Sequence, residues 1–248
     1  MRLIAYLIVC VFLPLESYSQ VNGRCELVAG YDRVEPFHFP KDGKIVGIDA
    51  EILNQGAKKI GCAVTYKELP WARTLSLLER GEIDVAIGAS FKEPRAKWAY
   101  YSVPYKFIDH WLYTRIDKHQ QVVSIEGFFE NQLSLGAVIG WGYPVEVSQA
   151  LAKKSNANNI SRVSTFEQLP KMLRRGRVDG IIASPTALEK EIGKNINKFA
   201  SRAQYKEELH FMFSKQSVAS DVVARFNNAI YEIIYSGDRK EIFNKYQK

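Results

Sequence analysis

An α/β fold built as two similar lobes follows from three observations on the 248-residue sequence. Short β-branched runs alternate with amphipathic stretches, so strand, helix, strand, helix, strand succeed one another and pair in parallel. The segment Gly81-Glu82-Ile83-Asp84-Val85-Ala86-Ile87-Gly88-Ala89 is echoed by Gly176-Arg177-Val178-Asp179-Gly180-Ile181-Ile182-Ala183-Ser184. Each copy reads as a helix stop, Gly-x-[Ile/Val]-Asp and a strand, which predicts two lobes of one design rather than a tandem array. Finally, the extended aromatic stretch from Lys106 to Arg115 leaves the first lobe, and extended stretches at Phe199 to Ser201 and Glu208 to Ser214 return to it.

In chain order, Arg2, the apolar run Leu3 to Leu15 and the small-x-small Ser17-Tyr18-Ser19 predict a secretory signal over residues 1–19, cleaved after Ser19. The run is too short for a membrane span, and Cys10 lacks the small residues ahead of it that a lipid anchor needs. Glu26 to Tyr31 is the expected first strand. Gly43 to Gly47 makes a hairpin-like approach to a helix with Asp49 as N-cap and Ile52, Leu53, Ala57 and Ile60 facing inward. Gly61 ends that helix, Ala63 to Leu69 is the second strand, and Trp71 to Arg80 the second helix. The polar stretch Asp117 to Glu126 links to the second lobe. There, Leu133 to Ile139 is a strand, Pro144 to Lys154 a helix and Asn159 to Val163 a strand. Ser164 and Glu167 form a capping box for a helix over Thr165 to Arg175. Val218 to Tyr235 sets Val222, Phe226, Ile230 and Ile233 along one side, and Arg239 to Tyr246 closes the chain with a last helix. Residues 20–115 with 199–248 therefore form the first lobe, and 116–198 the second.

With 46% hydrophobic and 25% charged residues, the chain can bury a substantial core and shows no low-complexity segment. Its net charge of +7 survives loss of the signal, because Arg2 and Glu16 leave together. A basic surface attracts anionic ligands, nucleic acid or lipid headgroups. Export and the dispersed placement of the basic residues argue against nucleic acid. In an oxidising compartment, Cys25 and Cys62 remain as an even pair, each directly before a predicted strand. Neighbouring parallel strands would let them form a disulfide; the alternative is two buried thiols. His38, His110, His119 and His210 stand at no metal-ligand spacing, so neither a metal nor a cofactor is expected.

Two turns carry candidate binding chemistry. Gly88-Ala89-Ser90 ends a strand, and Pro94-Arg95 begins a helix behind it, so exposed amides and a guanidinium could cradle a carboxylate. The alternative is a solvated surface arginine. Gly140-Trp141-Gly142 precedes a helix beginning at Pro144, where free amides and the helix dipole favour an anion.

Together with Gly47-Ile48-Asp49-Ala50-Glu51 and Tyr101-Ser102-Val103-Pro104-Tyr105, these stretches resemble the bacterial solute-binding proteins of family 3. The resemblance covers nearly all of the chain beyond the signal. It implies a periplasmic protein of the two-lobed, type II (Venus flytrap) fold with a mainly parallel sheet in each lobe. It also implies a monomer that closes around a small polar solute and presents it to a membrane ABC permease or sensor. Arg95 and Ser90 match the family's carboxylate binders, while Lys92 stands where the family often has Thr. Tyr31 and Trp71 fall where the family places aromatic walls, although either ring could equally be core packing. Gly140-Trp141, ahead of Gly142, occupies a position commonly Gly-Ser or Gly-Thr in the family, and Trp141 either fills ligand space or packs away. Ser184 replaces the Asp that holds an amino acid's ammonium, which favours a carboxylate-bearing ligand with a weakened amino requirement. The family also includes cyclohexadienyl dehydratases; on that alternative Glu146 is the one nameable acid.

Overall fold

The computed structural model describes residues 25–115, 121–193 and 199–246. The predicted signal at 1–19, His119 and part of the predicted linker lie outside the described residues, as do residues flanking both predicted lobe boundaries.

The first half opens with β1 (Cys25–Tyr31), the hairpin β2 (Phe39–Lys41) and β3 (Lys44–Val46), and α1 (Ile48–Lys59). It continues with β4 (Cys62–Glu68), α2 (Trp71–Glu79), β5 (Val85–Ser90), α3 (Glu93–Ala96) and β6 (Ala99–Tyr101). After the long β7 (Lys106–Arg115) come α4 (Ile125–Glu130), β8 (Leu135–Val138) and α5 (Val145–Ala152). A 3-10 turn then leads to β9 (Ile160–Val163), α6 (Gln168–Arg174), β10 (Gly180–Ala183) and α7 (Pro185–Ile192). The chain ends with β11 (Phe199–Ser214), α8 (Ser220–Tyr235) and α9 (Asp238–Tyr246).

Among the described residues, nine strands make one mixed sheet in the order β4-β1-β5-β11-β7-β10-β8-β9, with β6 beside β11. The parallel pairs lie towards the two ends: β1 with β4 and β5, and β8 with β9 and β10. Between them β7 and β11 run antiparallel, so the two parallel sets are joined through continuous strands rather than through separate linkers. The two short extended stretches expected near residues 199 and 208 are a single strand, β11.

Residues Cys25 and Cys62 stand opposite each other in the β1–β4 register and are joined by a disulfide. Helix α1 buries Ile52, Leu53 and Ala57. At Gly56 it lies so close to α8 that a Cβ would come within 2.7 Å of Phe226 and Ile230. On the other side of the molecule, Phe128, Leu135, Val147 and Ile182 form a separate apolar cluster. The two Gly-x-[Ile/Val]-Asp aspartates do the same work in both halves. Asp84 accepts the Val28 amide at 2.8 Å, and Asp179 accepts the Ser134 amide at 2.9 Å, each tying a strand start to its neighbour.

Two predicted caps are corrected. Gly47 is the N-cap of α1, and Asp49 sits inside the helix, wholly buried. Helix α6 starts at Gln168, whose Oε1 accepts the Ser164 and Thr165 amides at 2.9 and 3.2 Å, while Glu167 reaches instead to Arg33.

Candidate functional site

A cavity of about 70 Å³ lies over the middle of the sheet, roofed by residues from both halves. Its floor follows from strand alternation. In β7, Lys106, Ile108 and His110 share one face, and the register sets Ile108 beside Glu207 and Lys106 beside Leu209 of β11.

The first-half wall carries charge. Lys106 Nζ donates to both oxygens of Asp49 at 2.7 and 2.9 Å, and it lies 3.5 Å from the centre of the Phe37 ring. Burial opposes both charges. For Asp49 it is outweighed by Lys106 and His38, which hold the carboxyl below its ordinary value; for Lys106 burial dominates and lowers the ammonium. We take the pair as charged, because a neutral Lys106 would leave Asp49 ionised in the interior with its main partner gone. His38 Nδ1 is 3.3 Å from Asp49, and Nε2 is 3.6 Å from Asp32. Burial disfavours the imidazolium, but the two carboxylates together raise His38 above its ordinary value.

Farther along the floor, His110 Nε2 lies 3.7 Å from Glu207. Burial, helped by Lys106, pushes His110 down to about 4, so this imidazole is neutral at pH 7. Burial also raises Glu207 to about 7, against the pull of Ser90, Lys92 and Arg95.

The second half contributes Trp141, Gly142, Phe166, Ser184 and Ala187, with no ionisable side chain among them. Trp141 stacks on Phe166 at 5.6 Å and donates its Nε1 hydrogen to Asp32 at 3.2 Å. A seam of hydrogen bonds joins this segment to the first half. Gly140 has φ +78, and its carbonyl accepts from Trp71 Nε1 at 2.8 Å and Arg95 Nη2 at 2.6 Å. Lys92 Nζ donates to the Tyr143 carbonyl at 2.7 Å, and Ser90 Oγ to that of Gly142 at 3.4 Å. A Cβ on Gly142 would stand 2.6 Å from that of Ser90, so only glycine lets the two segments close this far.

Of the eight residues expected to bind, Trp71, Ser90, Trp141, Gly142 and Ser184 line the cavity. Ser184 also caps α7, its hydroxyl accepting the Ala187 amide at 3.2 Å. Tyr31, Lys92 and Arg95 are not in its walls. Tyr31 is buried at the end of β1, edge-on to His38 and Tyr66, with its hydroxyl donating to Glu68. Arg95 and Lys92 belong to the seam, and Arg95 Nη1 is buried without a hydrogen-bond partner. Glu146 is exposed in the first turn of α5, away from the cavity. Sequence reasoning passed over Asp32, Lys106, His110 and Glu207. The period-2 pattern of β7 was the available signal, since it puts Lys106 and His110 on one face. Among the described residues no group of side chains could hold a metal, and no helix is long and apolar enough to cross a membrane.

A sheet with two parallel ends, crossed by two long strands and carrying a cavity lined from both halves, is the two-lobed fold of the periplasmic binding proteins. The family model described as bacterial extracellular solute-binding proteins, family 3, matches residues 27–126. The chain is 24% identical over 214 residues to the probable amino-acid-binding protein YxeM of Bacillus subtilis, covering 85% of this chain and 79% of that protein. It is 23% identical to a probable histidine-binding protein of Neisseria gonorrhoeae, over 90% of this chain and 83% of that protein. Among solved structures, an ancestral arginine-binding protein bound to arginine superposes with TM-score 0.75 at 23% identity, covering 90% of this chain and 98% of that one. A histidine kinase sensor domain similar to periplasmic binding proteins gives 0.78 at 20% identity, covering 90% and 96%. The ancestral amino acid-binding protein AncCDT-1, a precursor of cyclohexadienyl dehydratase, gives 0.74 at 20%, covering 91% and 96%. The similarity to the bacterial solute-binding proteins of family 3 thus rests on residues 27–126 and on relatives 23–24% identical to this chain.

Proposed function

We propose that the protein is a periplasmic receptor, exported by a cleaved signal over residues 1–19. Its two lobes, 20–115 with 199–248 and 116–198, close as a monomer around a small carboxylate-bearing solute, an amino acid or a related compound. The observation that carries this reading is the seam. Arg95, Lys92, Ser90 and Trp71 all donate to backbone carbonyls of residues 140–143 across the cavity's edge. These donors match a carboxylate's needs, and Arg95 keeps one buried nitrogen unused. A solute that contacts both sides favours the closed arrangement over the open one, which is how binding becomes closure. The closed form then meets a membrane ABC permease or a membrane sensor.

A thermal-shift screen of residues 20–248 against amino acids, dicarboxylates and amines tests the receptor. A selective stabiliser is expected, because a ligand that binds only the native state raises its melting temperature. Arg95→Ala should weaken binding of that stabiliser at least about tenfold, the worth of one charge-assisted hydrogen bond. Unchanged affinity sinks the carboxylate assignment.

One observation favours a second reading, an enzyme of the dehydratase type. Glu207 lines the cavity and titrates near neutrality, as a general acid should. Turnover of prephenate or arogenate that is lost in Glu207→Gln would support it.

A further inference from the structure

Glu207 is the buried acid that the seam and the ion pair leave without a committed cation. Its side chain is 10% exposed and lines the cavity on β11, together with the rings of Trp141 and Phe166. The charged and titratable groups that face it come from three places. From β7, His110 is 3.7 Å away and its imidazole is neutral at pH 7. From the segment after β5, Lys92 and Arg95 act on it through space, but both spend hydrogen bonds on the Tyr143 and Gly140 carbonyls. From β5 itself, Ser90 draws the carboxyl down, although its hydroxyl hydrogen is directed to the Gly142 carbonyl. Asp49 differs, because Lys106 grips it with two short bonds. Asp32 has the Trp141 indole and His38.

A carboxylate held in the interior without a bonded cation stays protonated or recruits a positive charge. Aromatic rings in the same cavity lining, Trp141 and Phe166, add to the attraction for a cation. Resting on the receptor reading above, we infer that Glu207 is the acceptor for a positively charged nitrogen of the solute, a primary ammonium or a guanidinium. The second-half position, Ser184, carries no charge for this task and caps α7 instead. A solute bound this way spans the cavity from the Arg95 seam to the β11 floor, acid at one end and cation at the other. Burial holds Glu207 near pH 7, so its proton must leave as the cation binds, and binding weakens below that pH.

Calorimetry with L-arginine, its decarboxylated counterpart agmatine, and cation-free glutarate tests the assignment. The wild-type chain should bind arginine and agmatine with release of a fraction of a proton at pH 6.5, read from buffers of different ionisation enthalpy. Glu207→Gln should weaken both at least about tenfold and leave glutarate unchanged or tighter. The proton count needs no variant, so it stands even if Glu207→Gln folds poorly. Equal affinity of wild type and variant for arginine and agmatine, or binding without proton release, overturns the Glu207 assignment alone. A wild-type chain that takes glutarate but neither cation overturns it too. If no probe binds the wild type, the receptor reading falls with it.

Discussion

The two walls of the cavity differ in kind. The first-half wall and the floor carry Asp32, His38, Asp49, Lys106, His110 and Glu207, whereas the second half offers two aromatic rings, a glycine, a serine and an alanine. The charged side is also the braced side. The disulfide joins β1 to β4, and the Asp49–Lys106 pair ties α1 to β7. The second half packs as an apolar cluster and meets the cavity with rings and backbone carbonyls. One wall holds the charged groups in fixed pairs; the other meets it with rings and backbone carbonyls.

The sharpest way to break the comparison is to remove the charge that anchors the first wall. Asp49→Ala leaves the Lys106 ammonium buried and unpaired and should cost about 3–5 kcal/mol in urea unfolding. Asp49→Ala combined with Lys106→Met should recover much of that loss; no recovery would mean that the pair is not the cause. The next effect has the opposite sign. Holding Glu207 at about 7 instead of 4.5 lets the native state keep a proton that the unfolded chain releases, so stability falls as pH rises from 4.5 to 7. Glu207→Gln should therefore flatten that limb and gain on the order of 3 kcal/mol at pH 8. His110 works in the other direction: its depressed value makes stability fall as pH drops from 6.5 towards 4, and Glu207→Gln leaves that limb in place.

What the sequence made legible and what it hid divide along sequence separation. Strands and helices of the parallel ends came through because each is a local pattern. The echo of Asp84 in Asp179 proved architectural, each acid standing just before its own strand and holding a backbone amide of the neighbouring segment, Val28 within β1 and Ser134 ahead of β8. Asp49 was misread because Gly-Ile-Asp before an apolar run looks like a helix start, while the partner that buries it lies 57 residues away. Arg95 and Lys92 were read as facing the ligand space, yet their carbonyl acceptors come from the other half, 45 and 51 residues on. Tyr31 could equally have been wall or core, and burial behind His38 puts it in the core. Glu207 sits in a polar run, Gln204 to Glu208, whose register against β7 alone turns it toward the cavity.

The smallest predicted effect tests whether the second wall is passive by design or by accident. Ser184 stands at the end of the echoed segment, lines the cavity, and spends its hydroxyl on the first turn of α7. Ser184→Ala removes the cap and should cost about 1 kcal/mol, read as a fall of about 2–4 °C in melting temperature. Ser184→Asp keeps a capping oxygen and places a negative charge at a helix N-terminus, so stability should return to the wild-type value within a few tenths of a kcal/mol. It also puts a carboxylate on the wall that has none. If Glu207 alone receives the cation, adding Ser184→Asp to Glu207→Gln should restore part of the lost agmatine binding, because the charge again faces the same cavity. A double variant that binds no better than Glu207→Gln would mean that position on the floor, and not charge in the cavity, decides the site.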